Sequence, residues 1–300
     1  MRKNKSDTVF DIINITVMVI LLVIWAYPLY FVVIASISDP YEVAMGKVVL
    51  LPSKLTLEAY TNAFRNNQIW VGYRNTVFYT VCATAFSLFL TIPAGYVLGK
   101  KHLPFRTFTT WIYLFTMFFG GGLVPTYLLI RNLGILNTPW VMIITGGVSI
   151  WNVVVTRTFF TSTIPDELFE AGKIDGAGEI QLFLRVALPL APPIIAVMAL
   201  FYAVGNWNSY FGALIYISSK NLEPLQLVLR RILILNETAL SPAAMETADS
   251  EAIAEIARRQ FMAEGMKYSV VFIASAPLLC AYPFVQKYFI KGVMIGSLKG

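Results

Sequence analysis

Apolar residues are grouped in blocks of about twenty along the chain, and polar segments separate the blocks. A helix of about 20 predominantly apolar residues is long enough to cross a hydrocarbon core of about 30 Å. The pattern therefore predicts an all-α integral membrane protein, with residues 1–300 forming a single transmembrane domain. Six spans are expected near 13–37, 76–99, 109–130, 138–159, 190–212 and 268–290.

The stretch 166–190 interrupts this apolar pattern, because it holds five carboxylates between the fourth and fifth blocks. The run from Thr163 to Asp166 has the shape of a capping box, which predicts that a helix begins here. The GAG sequence that starts at Gly176 predicts a turn, and a second short amphipathic helix should follow until Pro189 ends it. We call this predicted helix–turn–helix unit, residues 166–190, the bracket.

Positive charge predicts the orientation of a chain that is 57% hydrophobic and only 13% charged. Lys and Arg close to the ends of spans are retained on the cytoplasmic side. They precede the first block, fill the loop 100–108 and follow the last block, so both termini are predicted to be cytoplasmic. The loop 160–189 around the bracket is then cytoplasmic as well, and the partly helical loop 213–267 is extracytoplasmic. The first block is predicted to be a retained span, because it exceeds the 7–15 residues of a signal-peptide core.

Few residues are suited to catalysis or to metal binding. Cys82 and Cys280 lie in apolar blocks and the single histidine, His102, lies in a basic loop, so no metal site is predicted. No phosphate-binding loop of the G-x-x-x-x-G-K-[ST] type is present, and no cofactor is expected on this chain. Ser149 is the one candidate nucleophile of an intramembrane hydrolase, but no histidine or lysine lies at the centre of a span to activate it.

Amide and aromatic side chains near two spans are candidates for a substrate pathway. Hydrogen-bonding amides beside aromatic faces suit sugar hydroxyls and sugar rings, but the same residues suit an aromatic belt at the membrane interface. Both interpretations stay open for Asn206, Trp207, Asn208, Tyr210, Trp151 and Asn152. The glycines 120–122 would interrupt the third span, either within a cavity-lining broken helix or at its outer end.

The bracket resembles a known motif. Its sequence EAGKIDGAGEIQLFLRVALP is similar to the EAA loop, E-A-A-x-x-x-G-x9-I-x-L-P, of permease subunits of ATP-binding-cassette (ABC) importers. Gly172 stands where a second alanine is usual, and it is expected to loosen the first helix. Val186 stands where isoleucine is usual. The positions that match or border the motif, and that the resemblance implies for coupling to an ATPase, are Glu170, Ala171, Gly172, Asp175, Gly176, Ala177, Leu188 and Pro189.

Nearly the whole chain resembles the MalG-like carbohydrate permeases, in particular the LplC/YtcP-like group, through GGLVPTYLLIRNLGILNTPW and NWNSYFGALIYI. The resemblance implies a type I ABC importer permease in the bacterial cytoplasmic (inner) membrane, in contact with lipid. It also implies three partners: a second homologous permease, an ATPase dimer that binds ATP and Mg²⁺, and an extracytoplasmic solute-binding protein near loop 213–267. No nucleic acid partner is expected.

The resemblance implies an oligosaccharide as the substrate. The net charge of +6 is a weak hint of acidic oligosaccharides such as uronides. A permease for peptides or amino acids is the alternative, and an intramembrane hydrolase is a more distant one.

Overall fold

The computed structural model describes residues 5–238, 266–280 and 282–283, and every regular element among them is helical. The helices are α1 (Lys5–Ser36), α2 (Pro40–Ala44), α3 (Glu58–Arg65), α4 (Asn67–Gly99), α5 (Arg106–Phe118), α6 (Leu123–Asn132), α7 (Pro139–Ile144), α8 (Ile150–Thr163), α9 (Asp166–Ile174), α10 (Glu179–Leu182), α11 (Pro192–Trp207), α12 (Phe211–Tyr216), α13 (Leu225–Thr238) and α14 (Met266–Cys280). The chain divides into two compact units, Met1–Ile69 with Leu229–Ala276 and Trp70–Val228 with Pro277–Gly300.

Two unbroken helices among the described residues are long and apolar enough to cross a membrane, namely Val9–Ser36 within α1 and the whole of α4. They coincide with the first and second predicted spans. Two bent helix pairs raise the number to four if each pair counts as one span. The predicted sixth span is described only in part, by α14, so the number six stays a prediction.

Glycines and prolines interrupt the remaining predicted spans. The segment 109–130 forms α5 and α6, which are bent by 108° at a break that contains Gly122 with φ of +83°. The segment 138–159 forms α7 and α8, and the turn between them contains Gly146 with φ of +83°. The helix of the fifth predicted span is α11. It begins at Pro192, where proline fits the first helical turn. Left-handed backbone explains the first two breaks, because an α-helix does not continue through it.

The first unit contains a folded loop after α1. Val43 and Val48 of this loop form a small buried cluster with Ile34 and Ala35 at the end of α1. Glu42, also buried, accepts a hydrogen bond from the hydroxyl of Ser53 and lies 3.0 Å from Lys54 Nζ. Both contacts lower the pKa of Glu42, and the hydrogen bond from Ser53 has the larger effect. A buried carboxylate is tolerated here because it is paired and hydrogen-bonded.

The second unit packs α4 closely against α8 and α11. A Cβ on Gly95 would lie 2.5 Å from Thr156 Cγ2, so a glycine is needed where α4 meets α8. The hydroxyl of Tyr202, on α11, is 2.6 Å from Thr91 Oγ1 on α4 and accepts a hydrogen bond from the backbone N–H of Ser149 at 3.1 Å. The three helices therefore share both small-residue packing and polar contacts, as is common among membrane helices.

Candidate functional site

The first arm of the bracket is α9, which begins at Asp166. Pro165 is its N-cap, and no side chain forms a hydrogen bond at the cap. The capping box predicted at Thr163 is therefore wrong, because Thr163 is the last residue of α8 and is not available to cap the next helix. Asp166 and Glu167 lie in the first turn, where the helix dipole favours negative charge.

The turn between the arms is built around Gly176, whose φ is +78°. The N–H of Gly176 donates to the carbonyl of Lys173 at 3.0 Å, and the N–H of Ala177 donates to that of Gly172 at 2.9 Å. These bonds form a Schellman motif after Asp175, the C-cap of α9. A Cβ on Gly176 would meet nothing within 4 Å. Within this chain, glycine is favoured here by the backbone conformation and not by a close neighbour.

The second arm is α10 with its continuation. A π-helical turn (Phe183–Ala187) and a 3₁₀ turn (Leu188–Leu190) follow α10, so the second helix extends to Leu190, one residue beyond the end predicted at Pro189. Leu188 is half-buried against the core of the second unit, and Pro189 is exposed. Beyond them the chain bends by 88° into α11. The two motif residues therefore mark the point where the bracket meets the membrane helices.

Tyr96, on α4, supports both arms of the bracket. The side chain of Tyr96 is 4% exposed. Its ring centroid lies 5.9 Å from that of Phe169 on the first arm and 5.0 Å from that of Phe183 on the second. Phe160 of α8 packs on the same ring at 5.6 Å. We call this group of four aromatic residues the seat, because the bracket rests on it.

Gly172 lets the two arms pack closely. A Cβ at this position would lie 2.5 Å from Cδ2 of Leu182, whose side chain is fully buried in the second arm. An alanine would therefore require Leu182 to move. Because the atom in the way is the end of a flexible side chain, a small shift of Leu182 can accommodate a methyl group here, and the expectation that Gly172 loosens the first helix stays a prediction.

Two adjacent lysines after α4 form ion pairs with the bracket. Lys101 Nζ lies 2.6 Å from Asp166 Oδ2, and Lys100 forms a close ion pair with Glu179. Lys100 Nζ also lies 4.6 Å from the centroid of the Tyr96 ring. Within the bracket, Lys173 lies 3.6 Å from Glu179.

These ion pairs affect the pKa values of their members. The hydrogen bond from Lys101, followed by its charge, lowers the pKa of Asp166, and the reciprocal bond raises the pKa of Lys101. Burial lowers the pKa of Lys100, and the charge of Lys173 acts in the same direction. The ion pair with Glu179 opposes both effects, because a neighbouring carboxylate favours the protonated lysine.

The outward face of the bracket combines charge with large apolar side chains. Glu170, Ala171 and Asp175 are exposed, as the EAA resemblance requires of docking residues. Ile174 and Ile180 beside them are 87% and 76% exposed. Exposed isoleucines rimmed by polar residues are typical of a surface that another protein covers. The sequence pattern did not single out Ile174, because it lies at the end of a short helix that mixes polar and apolar residues.

Three of the six candidate pathway residues lie inside the second unit. Trp207 is 6% exposed, and its ring centroid lies 5.8 Å from that of Tyr73. Asn206 is half-buried, and its Nδ2 lies 3.5 Å from Thr84 Oγ1. Asn152 is also buried. In the conformation described, these side chains contribute to packing.

The other three candidates face outward. Asn208 is exposed, and its Nδ2 donates to the carbonyl of Val204 at 3.0 Å. Tyr210 is 43% exposed and Trp151 is 59% exposed. A binding partner or substrate can reach them, but the structure does not bring all six candidates together at one site.

Comparison with known proteins assigns the chain to a family. Residues 69–294 match the family described as binding-protein-dependent transport system inner membrane component. Protein LplC of Bacillus subtilis is 38% identical over 301 residues, covering 100% of this chain and 98% of the relative. The chain belongs to this family. It is the permease subunit of a carbohydrate ABC transporter, a multi-pass inner membrane protein and not an enzyme.

Two further relatives cover nearly the whole permease. The polygalacturonan/rhamnogalacturonan transport system permease protein YtcP of Bacillus subtilis is 33% identical, covering 98% of this chain and 100% of the relative. A chain of a bacterial ABC transporter involved in the import of the acidic polysaccharide alginate is 30% identical, with a TM-score of 0.84. The match covers 96% of the permease and 99% of that chain.

Ser149, the candidate nucleophile of the hydrolase alternative, has a structural role in the permease. It is the N-cap of α8, and its Oγ accepts a hydrogen bond from the N–H of Asn152 at 3.4 Å. Its own N–H donates to Tyr202. A serine that caps a helix satisfies a backbone donor that would otherwise be unpaired inside the membrane domain.

A second group of contacts lies near the N-terminal end of α4, opposite the bracket. Gly72, Asn75, Thr76 and Tyr79 recur at helical spacing and so share one face of α4. This face contacts the segment 221–225, which leads from α12 into the first residue of α13. We call these four residues, together with segment 221–225, the clasp.

Hydrogen bonds to backbone carbonyls hold the clasp together. Asn75 Nδ2 donates to the carbonyls of Asn221 at 2.7 Å and Glu223 at 3.0 Å. The hydroxyl of Tyr79 donates to the carbonyl of Leu222 at 2.9 Å. Asn75 and Glu223 are 6% and 3% exposed, so the bond between them is shielded from water, and the other two bonds are partly buried.

The last two clasp residues bring the backbones close together. Thr76 Oγ1 accepts a hydrogen bond from the N–H of Leu225 at 2.7 Å, inside the unit. A Cβ on Gly72 would lie 3.0 Å from Leu225 Cα, so the segment lies almost directly on α4. Sequence reasoning selected no residue in loop 213–267, because these partners are separated by nearly 150 positions along the chain.

Proposed function

We propose that the permease forms half of the translocation pathway of an ATP-driven, binding-protein-dependent importer of oligosaccharides, with acidic uronide oligosaccharides as its substrates. The observation that carries the proposal is the likeness, over nearly the full length, to two proteins named for such polymers. Polygalacturonan is a polymer of a uronic acid, and alginate is described as an acidic polysaccharide. The two relatives are 33% and 30% identical to the permease.

The bracket is the proposed coupling element. In this proposal it lies on the cytoplasmic side with both termini and docks on a separate ATPase dimer that holds ATP and Mg²⁺. Glu170 supplies charge-assisted hydrogen bonds, and the Gly176 turn brings its backbone close to the partner. The exposed Ile174 and Ile180 support the proposal, because docking would remove them from water.

A second homologous permease and an extracytoplasmic binding protein complete the proposed importer. The second permease forms the other half of the pathway, and the binding protein contacts loop 213–267. Residues 239–265 of that loop lie outside the described residues. Among the pathway candidates, Asn208, Tyr210 and Trp151 are the proposed substrate contacts, because their side chains are exposed. Trp207, Asn206 and Asn152 support them from within the unit.

The test is ATP hydrolysis by the complete importer in lipid nanodiscs, with its second permease, ATPase and binding protein. Four ligands are compared: a galacturonate oligomer, an alginate oligomer, a neutral malto-oligosaccharide and a tripeptide. We expect a uronide oligomer to stimulate hydrolysis most strongly and the tripeptide to have no effect.

Each outcome decides one part of the proposal. Stimulation by the neutral oligosaccharide alone would contradict the acidic substrate class and would keep the oligosaccharide importer. Stimulation by the tripeptide, without a response to any oligosaccharide, would contradict the substrate class altogether and would favour the peptide alternative.

A further inference from the structure

The loop that follows α4 contacts both arms of the bracket through neighbouring residues. Lys101 pairs with Asp166, the first residue of α9. Lys100 pairs with Glu179, the first residue of α10. Two adjacent side chains therefore diverge and bind the beginning of each arm. The sequence alone indicates only that these lysines favour the cytoplasmic side of the membrane.

The two pairs differ in their surroundings. The side chains of Lys101 and Asp166 are 70% and 58% exposed, so water and salt screen their attraction. The side chain of Lys100 is only 25% exposed, and its ammonium group lies over the ring of Tyr96. A cation above an aromatic face is attracted to it, and this attraction is stronger where the cation is partly desolvated.

The geometry connects these pairs to the seat. The ring of Tyr96 contacts the ammonium group of Lys100. It also contacts Phe169 of the first arm and Phe183 of the second. The aromatic rings hold the arms on α4 at Phe169 and Phe183, and neither ring contact involves the first residue of an arm. Charge at the first residue of each arm supplies the missing restraint, because it fixes the end of the arm that lies next to the α4 loop.

We propose that Lys100 and Lys101 are positioning residues that fasten the first residue of each bracket arm to α4, so that a displacement of the bracket is passed on to this helix. The proposal rests on the proposed coupling function of the bracket. It adds that transmission requires a charge clamp on this permease itself, on a loop that lies outside the EAA motif. Lys100 is the stronger of the two residues, because its side chain is 25% exposed against 70% for Lys101 and also contacts the ring of Tyr96.

Hydrogen exchange of the intact importer tests the clamp without any substrate. The variants are Lys100→Met, which keeps most of the stem, and Lys101→Gln, with Lys47→Gln as the control. Lys47 is an exposed lysine of the first unit, remote in sequence from the bracket. We expect the backbone amides of 166–182 to exchange about two- to five-fold faster in the clamp variants, as loss of a modest ion pair allows, and to be unchanged in the control.

Charge reversal separates a specific pair from general surface charge. Lys101→Asp should accelerate exchange at the start of α9, and the double variant Lys101→Asp with Asp166→Lys should restore most of the protection. If the double variant exchanges as fast as the single one, or if neither lysine variant differs from the wild type, the clamp is disproved.

The coupling ratio tests whether the clamp transmits movement. The number of ATP molecules hydrolysed per substrate molecule transported is compared in the wild type, Lys100→Met and Lys100→Arg. We expect Lys100→Met to raise this ratio at least two-fold with a normal amount of assembled importer, and Lys100→Arg to restore it. A merely structural role would lower the amount of assembled importer and leave the ratio unchanged. If no ligand stimulates the wild type, the proposed substrates fail, and the exchange measurement still decides the clamp.

Discussion

The bracket and the clasp lie on opposite ends of α4 in the same unit, and they are held by different forces. The clasp uses neutral hydrogen bonds, buried or partly buried, from side chains to backbone carbonyls. The bracket uses the aromatic seat, the exposed Lys101–Asp166 ion pair, and the Lys100–Glu179 pair, whose lysine is partly buried against Tyr96. Buried bonds to the backbone leave few alternative geometries, whereas ion pairs in water are weak and adjustable. The difference indicates that the clasp end of α4 is fixed by bonds to backbone, whereas the ion pairs at the bracket end respond to salt and to a change of charge.

The largest effect is expected at the seat. Tyr96→Ala removes the ring on which both arms rest, and we expect it to lower the free energy of unfolding in detergent micelles by about 3–5 kcal/mol. Tyr96→Phe is the matched control. The Tyr96 hydroxyl is buried without a hydrogen-bond partner among the described residues, so its loss should cost nothing. Equal destabilisation by both variants would show that the hydroxyl, and not the ring, supports the bracket.

The clasp should be the next most sensitive. Asn75→Ala leaves the carbonyls of Asn221 and of the buried Glu223 without their side-chain donor, and we expect the free energy of unfolding to fall by about 1–3 kcal/mol. Thr158→Ala is the control, because Thr158 is exposed and bonds only to the carbonyl of Val154 in its own helix. If Asn75→Ala is as mild as the control, the clasp is not the fixed end of α4.

The turn of the bracket should show an intermediate effect. Gly176→Ala places a methyl group on a residue with φ of +78°, which costs about 1–2 kcal/mol of local stability. Gly178, whose φ is −71°, supplies the control, because alanine adopts that conformation without strain. Hydrogen exchange at 172–178 should accelerate in Gly176→Ala alone. Equal exchange in both variants would contradict the assigned backbone conformation.

The smallest effect concerns salt and pH. Raising the salt concentration from about 0.1 M to 1 M shortens the screening length from about 10 Å to 3 Å. Exchange at the start of α9 should accelerate more than exchange at the start of α10, because Lys101 and Asp166 are the more exposed pair. The clasp should not respond.

The pH dependence of the Lys101–Asp166 pair follows from its two pKa values. The pKa of Asp166 is lowered in the folded state, so its contribution to stability is present above the unfolded value. That contribution is lost as the pH falls through the folded value. The pKa of Lys101 is raised in the folded state, so its contribution to stability is present below the unfolded value and is lost as the pH rises through the folded value. Exchange at the start of α9 should therefore be independent of this pair across neutral pH, and a transition near neutrality that Asp166→Asn abolishes and that persists when His102 is replaced by Gln would contradict the assignment.

The sequence predicted local features better than contacts between distant segments. The bracket, its Gly176 turn and the end of its second helix near Pro189 follow from glycine, proline and helical spacing over a few residues. The cap at Thr163 failed for a local reason, since the preceding helix extends through that residue. The clasp could not be predicted, because the periodicity of α4 does not show which distant carbonyls will face Asn75.

The same limit applies to the candidate sites. The residue types left open whether Trp207 and Asn206 face a sugar or belong to an aromatic belt, because burial is decided by neighbours such as Tyr73 that the spacing does not reveal. Lys100 and Lys101 were visible as charge, and their partners were visible as acids. Only the fold shows that each lysine meets the first residue of one arm.

Charge reversal at Glu170 tests the central claim most directly, namely that ATP hydrolysis by the partner is coupled to the permease through the bracket. Transport and transport-coupled ATP hydrolysis are measured in the reconstituted importer for Glu170→Lys and for Glu167→Lys, an exposed acid of the same helix that lies outside the motif. The account predicts that Glu170→Lys inserts normally and loses both activities, whereas Glu167→Lys keeps most of both. Full activity of Glu170→Lys would contradict it.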